Sequence, residues 1–153
     1  MEPTLVSGDR IVCRGIGSRP TRGSIVVFPH PRRKEIWMVK RVIGLPDEEI
    51  AIDFGEVLID GLRGLDRWSR GQGEESGGHT FPDGSWRIAR DEIFVLSDNR
   101  AATVDDGRSF GPITTKGVLV MIWPRLKQRR DQVTQNPIEP EPNSARGVLG
   151  FER

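Results

Sequence analysis

Cysteine is almost missing from this sequence: Cys13 stands alone in 153 residues, so no internal disulfide can form. Neither a Cys-x-x-Cys pair nor a His-x-x-x-His spacing is present, which removes the usual frameworks for a metal site, and no metal or cofactor is expected. Cys13 sits in a strand-like run and reads as a small buried hydrophobe rather than a nucleophile. Long apolar runs are missing too. The longest, Val118 to Trp123, falls far short of the ~18 residues that a membrane-crossing helix needs. No basic-then-apolar export signal opens the chain. Charge of one sign is not in excess either: 23 Lys and Arg face 22 Asp and Glu, and so near-neutral a balance calls for no nucleic-acid partner. Two local basic clusters, Arg32-Arg33-Lys34 and Arg125 to Arg130, read as solvated surface or tail, or as contacts to anionic lipid headgroups.

What the chain does have is 18 glycines and 11 prolines punctuating short runs rich in Val and Ile, the pattern of strands and tight turns. Strands are expected at Arg10 to Cys13, Ser24 to Phe28, Ile36 to Ile43, Glu49 to Ile52, Glu56 to Ile59, Glu92 to Leu96 and Val118 to Ile122. The expectation is an all-β fold with one antiparallel core over residues 1–126. Within it, 61–90 is glycine-rich and charged and should form an inserted lobe or long loop, with only Trp68, Phe81 and Trp86 to anchor it. Residues 127–153 mix charge, proline and polar residues without apolar periodicity, so a disordered tail is expected there. His30 and His79, beside prolines or glycines in evident loops, read as surface histidines.

Two stretches carry chemistry. In "EIWMVKRVIG" a strand period of two places Ile36, Met38, Lys40 and Val42 on one face and Trp37, Val39, Arg41 and Ile43 on the other. Each face then holds one cation among apolar neighbours. An edge strand whose Lys and Arg reach water is one account. A lysine kept dry is the other: desolvation disfavours the charged amine, and a neutral amine can serve as general base to a serine hydroxyl. The strand alone leaves both open. In "IFVLSDNRAATVDDGRSFGPI" a strand runs into a segment dense in Asp98, Asn99, Arg100, Asp105, Asp106 and Arg108. Such a cluster forms surface turns and ion pairs, or braces an irregular loop beside a site through bidentate Arg-carboxylate bonds. "SDN" also marks penicillin-recognising serine enzymes, but those need Ser-x-x-Lys and Lys-Thr-Gly, and Thr115-Lys116-Gly117 has the wrong order.

Taken in order, "MEPTL", "GDRIV", "VKRVIGLPDE" and "SDNRAATVDDGRSFGP" closely resemble the bacterial type I signal peptidases, serine-lysine endopeptidases that remove signal peptides from exported proteins. The resemblance runs from Met1 to Trp123. It implies that Lys40 is the general base and that Met1, Pro3 and Thr4 shape the substrate-binding loop after the nucleophile. Thr103 falls where the family has a serine whose hydroxyl orients the lysine amine. Asp98, Asn99 and Arg100 match a Gly-Asp-Asn-Arg block with Ser97 in place of the glycine. Asp106 and Arg108 match an Asp-Ser-Arg element, but Gly107 replaces its serine and one extra residue lies between Arg100 and Asp106.

The family's nucleophilic serine immediately precedes the Met-x-Pro-Thr-Leu motif, and an oxyanion-hole serine lies two residues earlier. Both positions fall before residue 1, so this chain is expected to correspond to a family member cut just after its nucleophile and to be inactive as it stands. The resemblance further implies a membrane-associated protein with its catalytic core on the outer face of the cytoplasmic membrane, acting on signal peptides of exported preproteins without a cofactor. Two alternatives remain: a non-catalytic relative that binds signal-peptide-like segments, and a maturation protease dedicated to one exported protein. Self-cleaving repressors share the dyad but need a DNA-binding module for which the chain has no room.

Overall fold

The computed structural model describes residues 1–15, 20–63 and 83–126. The expected disordered tail, His79 and most of the expected 61–90 lobe, with Trp68 and Phe81, lie outside the described residues. Ten strands are described: β1 (Arg10–Gly15), β2 (Ile25–Pro29), β3 (Trp37–Gly44), β4 (Glu49–Asp53), β5 (Glu56–Ile59), β6 (Leu62–Arg63), β7 (Gly84–Arg87), β8 (Glu92–Leu96), β9 (Ile113–Thr114) and β10 (Leu119–Leu126). One short helix, α1 (Gly107–Phe110), interrupts them. The first sheet has the order β1-β10-β2-β3-β8-β9 and the second β6-β5-β4-β7, and all the pairings are antiparallel. The fold is thus all-β. Both described ends of the 61–90 segment are strands of the second sheet, and its Trp86 packs on Phe94 at 4.9 Å between ring centroids.

β3 and β8 are apolar on both faces because each divides two hydrophobic clusters. Val26, Phe28, Met38, Val42, Ile93, Val95, Ile113 and Val118 make one; Ile43, Ile50, Ile52, Val57, Ile88, Phe94 and Leu96 make the other. Alternation of side chains across the pleat explains the division, since Val42, Ile93 and Val95 point one way and Ile43, Phe94 and Leu96 the other. The β3–β8 register slips between Val42 and Gly44, a bulge from which the chain passes into β4 of the second sheet. Glycine is required at this corner. A Cβ on Gly44 would stand 2.3 Å from Ile88 Cδ1 and 2.7 Å from Ile50 Cγ1.

Cys13 on β1 is only half-buried, less enclosed than its strand pattern suggested, and burial pushes its thiol pKa up. Among the described residues no group of His, Cys, Asp and Glu is placed to hold a metal ion, and no helix is long and apolar enough to cross a membrane.

Candidate active site

Strand register brings the two chemical stretches together. Arg41 pairs with Leu96 across β3 and β8, so the next step along this antiparallel ladder sets Lys40 opposite Ser97. On its other side Lys40 faces Val26 of β2, which places the lysine inside the sheet rather than at an edge. The edge-strand account is therefore excluded. Lys40 is only 8% exposed, and its Nζ donates to Ser97 Oγ at 2.7 Å. Burial pushes the amine pKa down; Asp106, and after it Asp105, pull it back up, while Arg108 adds to the depression.

The neighbouring residues form a second cross-link. Arg41 Nε and Nη2 donate to the two oxygens of Asp98 at 2.7 and 2.6 Å, and Arg41 Nη1 donates to the Gly23 carbonyl at 2.8 Å. Both side chains are buried. A planar guanidinium matches a carboxylate in this bidentate way, which fixes the relative position of the strands as well as neutralising the buried charge. Thr4 completes the arrangement: its hydroxyl donates to Asp98 Oδ2 and accepts from Arg41 Nη2 at 3.2 Å. The turn Met1–Leu5, closed by the Leu5 N–H to Met1 carbonyl bond at 3.0 Å and anchored by buried Leu5, is thereby pinned beside the lysine strand. Pro3 lies exposed on this turn and Met1 is half-buried.

A third group braces Ser97 from below. Asp106, with no exposed surface, accepts the Ser97 N–H on Oδ2 at 3.0 Å and caps α1 by accepting the Arg108 N–H on Oδ1 at 3.1 Å. Arg108 Nε and Nη2 return to the same carboxylate, each at 2.9 Å. Arg108 Nη2 also reaches the carbonyls of Arg100 and Thr103, which ties the loop between β8 and α1 onto the ion pair. A buried pair of this kind is costly to half-dismantle, because the surviving charge would be left without its partner.

The expected site residues divide into two groups. Lys40, Thr4, Asp98, Asp106 and Arg108 converge on the β3–β8 junction. Asn99 and Thr103 serve the loop instead: Asn99 Oδ1 accepts from the Ala102 N–H at 3.2 Å, and Thr103 Oγ1 from the Asp105 N–H at 3.0 Å. The hydroxyl on the lysine amine is that of Ser97, not that of Thr103, which corrects the expectation for Thr103. The physical reason is register, since Ser97 continues β8 directly opposite Lys40, while the Thr103 hydroxyl is taken up by the Asp105 N–H. Arg100 is buried and its carbonyl is held by Arg108.

His30 is also corrected. It is 4% exposed rather than a surface residue, packed edge-on against Phe110 at 5.7 Å and bonded to Asp105. The signal for its burial is a histidine held between Pro29 and Pro31 directly after an apolar strand. Arg41 was visible as a cation on the second face of β3, but its partner, 57 positions away in sequence, was not.

Comparison with known proteins adds independent findings. A family model described as signal peptidase, peptidase S26, matches residues 1–122. The signal peptidase I of Leptolyngbya laminosa is 31% identical over 142 residues, covering 81% of this chain and 64% of that protein. The probable signal peptidase I-2 of Synechocystis is 30% identical over 158 residues, covering 94% of this chain and 69% of that one. The crystal structure of a signal peptidase I from Enterococcus faecalis superposes with a TM-score of 0.59 at 25% identity, covering 69% of this chain and 98% of the other. The chain therefore spans about two thirds of the length of the two relatives named first.

Proposed function

The chain belongs to the signal peptidase family, peptidase S26, and from that premise we propose that it is the catalytic core of a serine endopeptidase that cleaves signal peptides from exported preproteins with Lys40 as general base. The observation that carries this reading is the Lys40 amine, buried between β2 and β8 and bonded to the Ser97 hydroxyl at 2.7 Å. A neutral amine has two N–H groups and one lone pair. If Ser97 Oγ accepts one N–H, the rotation of the amine is restricted and the lone pair is available to a second hydroxyl.

By the family resemblance, that second hydroxyl would be a serine placed next to the Met1–Leu5 turn. The Met1–Leu5 turn, tied by Thr4 to Asp98 and Arg41, holds the chain beside the strand that carries Lys40. Lys40 accepts the serine proton as the serine oxygen bonds to the scissile carbonyl carbon. It then passes that proton to the departing amine as the peptide C–N bond breaks and an acyl-serine remains. In the second half Lys40 takes a proton from water as the water oxygen bonds to the acyl carbon, and returns that proton to the serine oxygen as the ester C–O bond breaks. Substrate lies extended next to the Met1–Leu5 turn. The core works at the outer face of the cytoplasmic membrane, where signal peptides emerge.

The test is cleavage of a signal-peptide-bearing preprotein by residues 1–153 and by the same chain with Ser-Gly-Ser joined ahead of Met1. The extended form should cleave, residues 1–153 should not, and Lys40→Ala in the extended form should lose about 10²-fold or more in rate. Ser97→Ala should cost more than Thr103→Val. Turnover by residues 1–153 that Lys40→Ala abolishes would refute the missing-nucleophile assignment. Binding without cleavage by the extended form would favour a peptide-binding relative.

A further inference from the structure

We propose that His30 is a positioning residue for the Lys40 amine: it ties the loop bearing Asp105 and Asp106 to the β2–β3 connection and so fixes where those two carboxylates stand relative to Lys40. The imidazole is bonded on both sides. Its Nδ1 accepts the backbone N–H groups of Arg32 and Arg33 at 3.0 and 3.2 Å. In the neutral ring the single N–H is therefore on Nε2, which donates to Asp105 Oδ1 at 3.0 Å. Phe110, itself stacked edge-on against Phe28 at 6.3 Å, closes over the ring.

Asp105 is the residue that this bond holds, and its place in the chain gives the bond reach. Asp106 follows it and carries the Ser97 N–H, and Ser97 in turn accepts the Lys40 amine. Arg33 also reaches Asp105, through Oδ2 at 2.8 Å, and Arg32 Nη2 donates to the Ser109 carbonyl at 3.0 Å. Arg33 is about half exposed, however, whereas His30 is buried; the histidine is the rigid arm of the clasp.

Electrostatics agree with the geometry. Asp106 and Asp105 are the two carboxylates that raise the Lys40 pKa against burial, with Arg108 opposing them. For Asp105, burial acts upward but is outweighed by the bond from His30, by the His30 charge when the ring is protonated, and by the Arg33 and Lys40 charges, so its carboxyl titrates below the ordinary value.

The inference rests on Lys40 as the base, and its test reads the amine itself, so it can fail while the peptidase reading stands. The Lys40 titration is followed by NMR of isotope-labelled lysine side chains in residues 1–153. His30→Asn keeps an acceptor near the Nδ1 position but cannot reach Asp105, whereas His30→Gln keeps a donor near Nε2. The expected result is a downward shift of the Lys40 midpoint in His30→Asn and in Asp105→Asn, no further shift in the double variant, and return towards the parent midpoint in His30→Gln. Arg33→Gln, an exposed change that leaves the His30–Asp105 bond intact, should shift the midpoint less than Asp105→Asn and keeps the test decisive if His30→Asn does not fold. An unchanged midpoint in Asp105→Asn, additive shifts in the double variant, or an Arg33→Gln shift as large as that of Asp105→Asn would overturn the proposal.

Discussion

A lysine enclosed by a sheet is a liability at the scale of one residue, and Lys40 bears a stability cost that depends on pH. Its folded-state pKa is pushed below the ordinary 10.5, chiefly by burial, so between those two values the unfolded chain binds more protons than the folded one. Stability contributed at this position is therefore lowest below the folded-state pKa and recovers as pH rises towards 10.5. Lys40→Met, which keeps length and removes the charge, should be more stable than the parent at low and neutral pH, and the advantage should shrink across that window. Urea denaturation at a series of pH values measures it. An advantage independent of pH would mean that the gain comes from packing alone. The presence of a cation on each face of β3 was legible in the sequence. Which hydroxyl Lys40 would meet was not, because motif spacing pointed to Thr103 while strand register, set by a partner 57 residues away, chose Ser97.

Among the elements, the longer strands could be read from their alternation and their bounding glycines and prolines, and Glu56–Ile59 and Glu92–Leu96 match the expected limits. β6 and β9 escaped notice because two residues carry no period, and β7 because its residues, Gly-Ser-Trp-Arg, include only one large apolar side chain. The helix α1 was also missed. It is a four-residue turn created by the Asp106 cap, a tertiary device more than a helical sequence. This turn also makes the glycine after Asp106 intelligible. A Cβ on Gly107 would stand 2.6 Å from the Val95 carbonyl oxygen and 2.8 Å from Phe94 Cζ, so the loop lies flat against β8 only with glycine there. Gly107→Ser should destabilise the fold by about 1–3 kcal/mol, read from a shift in the urea midpoint. A neutral effect would show that the loop can move away from β8 without loss.

For the whole molecule, one antiparallel junction does two jobs: β3 and β8 separate the two hydrophobic clusters and also carry Lys40, Arg41 and, just past the strand end, Ser97 and Asp98. Packing on both faces keeps water from the amine, and the Arg41–Asp98 and Arg108–Asp106 pairs hold the irregular segments against it. The all-β class was evident from composition, whereas the split into two sheets was not, since it depends on the bulge at Gly44 and on strands too short to recognise. All of this chemistry needs a neutral Lys40 near physiological pH. The most direct measurement is the titration of that one amine in the folded, unsubstituted protein by NMR. A midpoint well below 10.5, returning to the ordinary lysine value on unfolding in urea, is expected; a midpoint the same in the folded and unfolded chain would contradict Lys40 as the base.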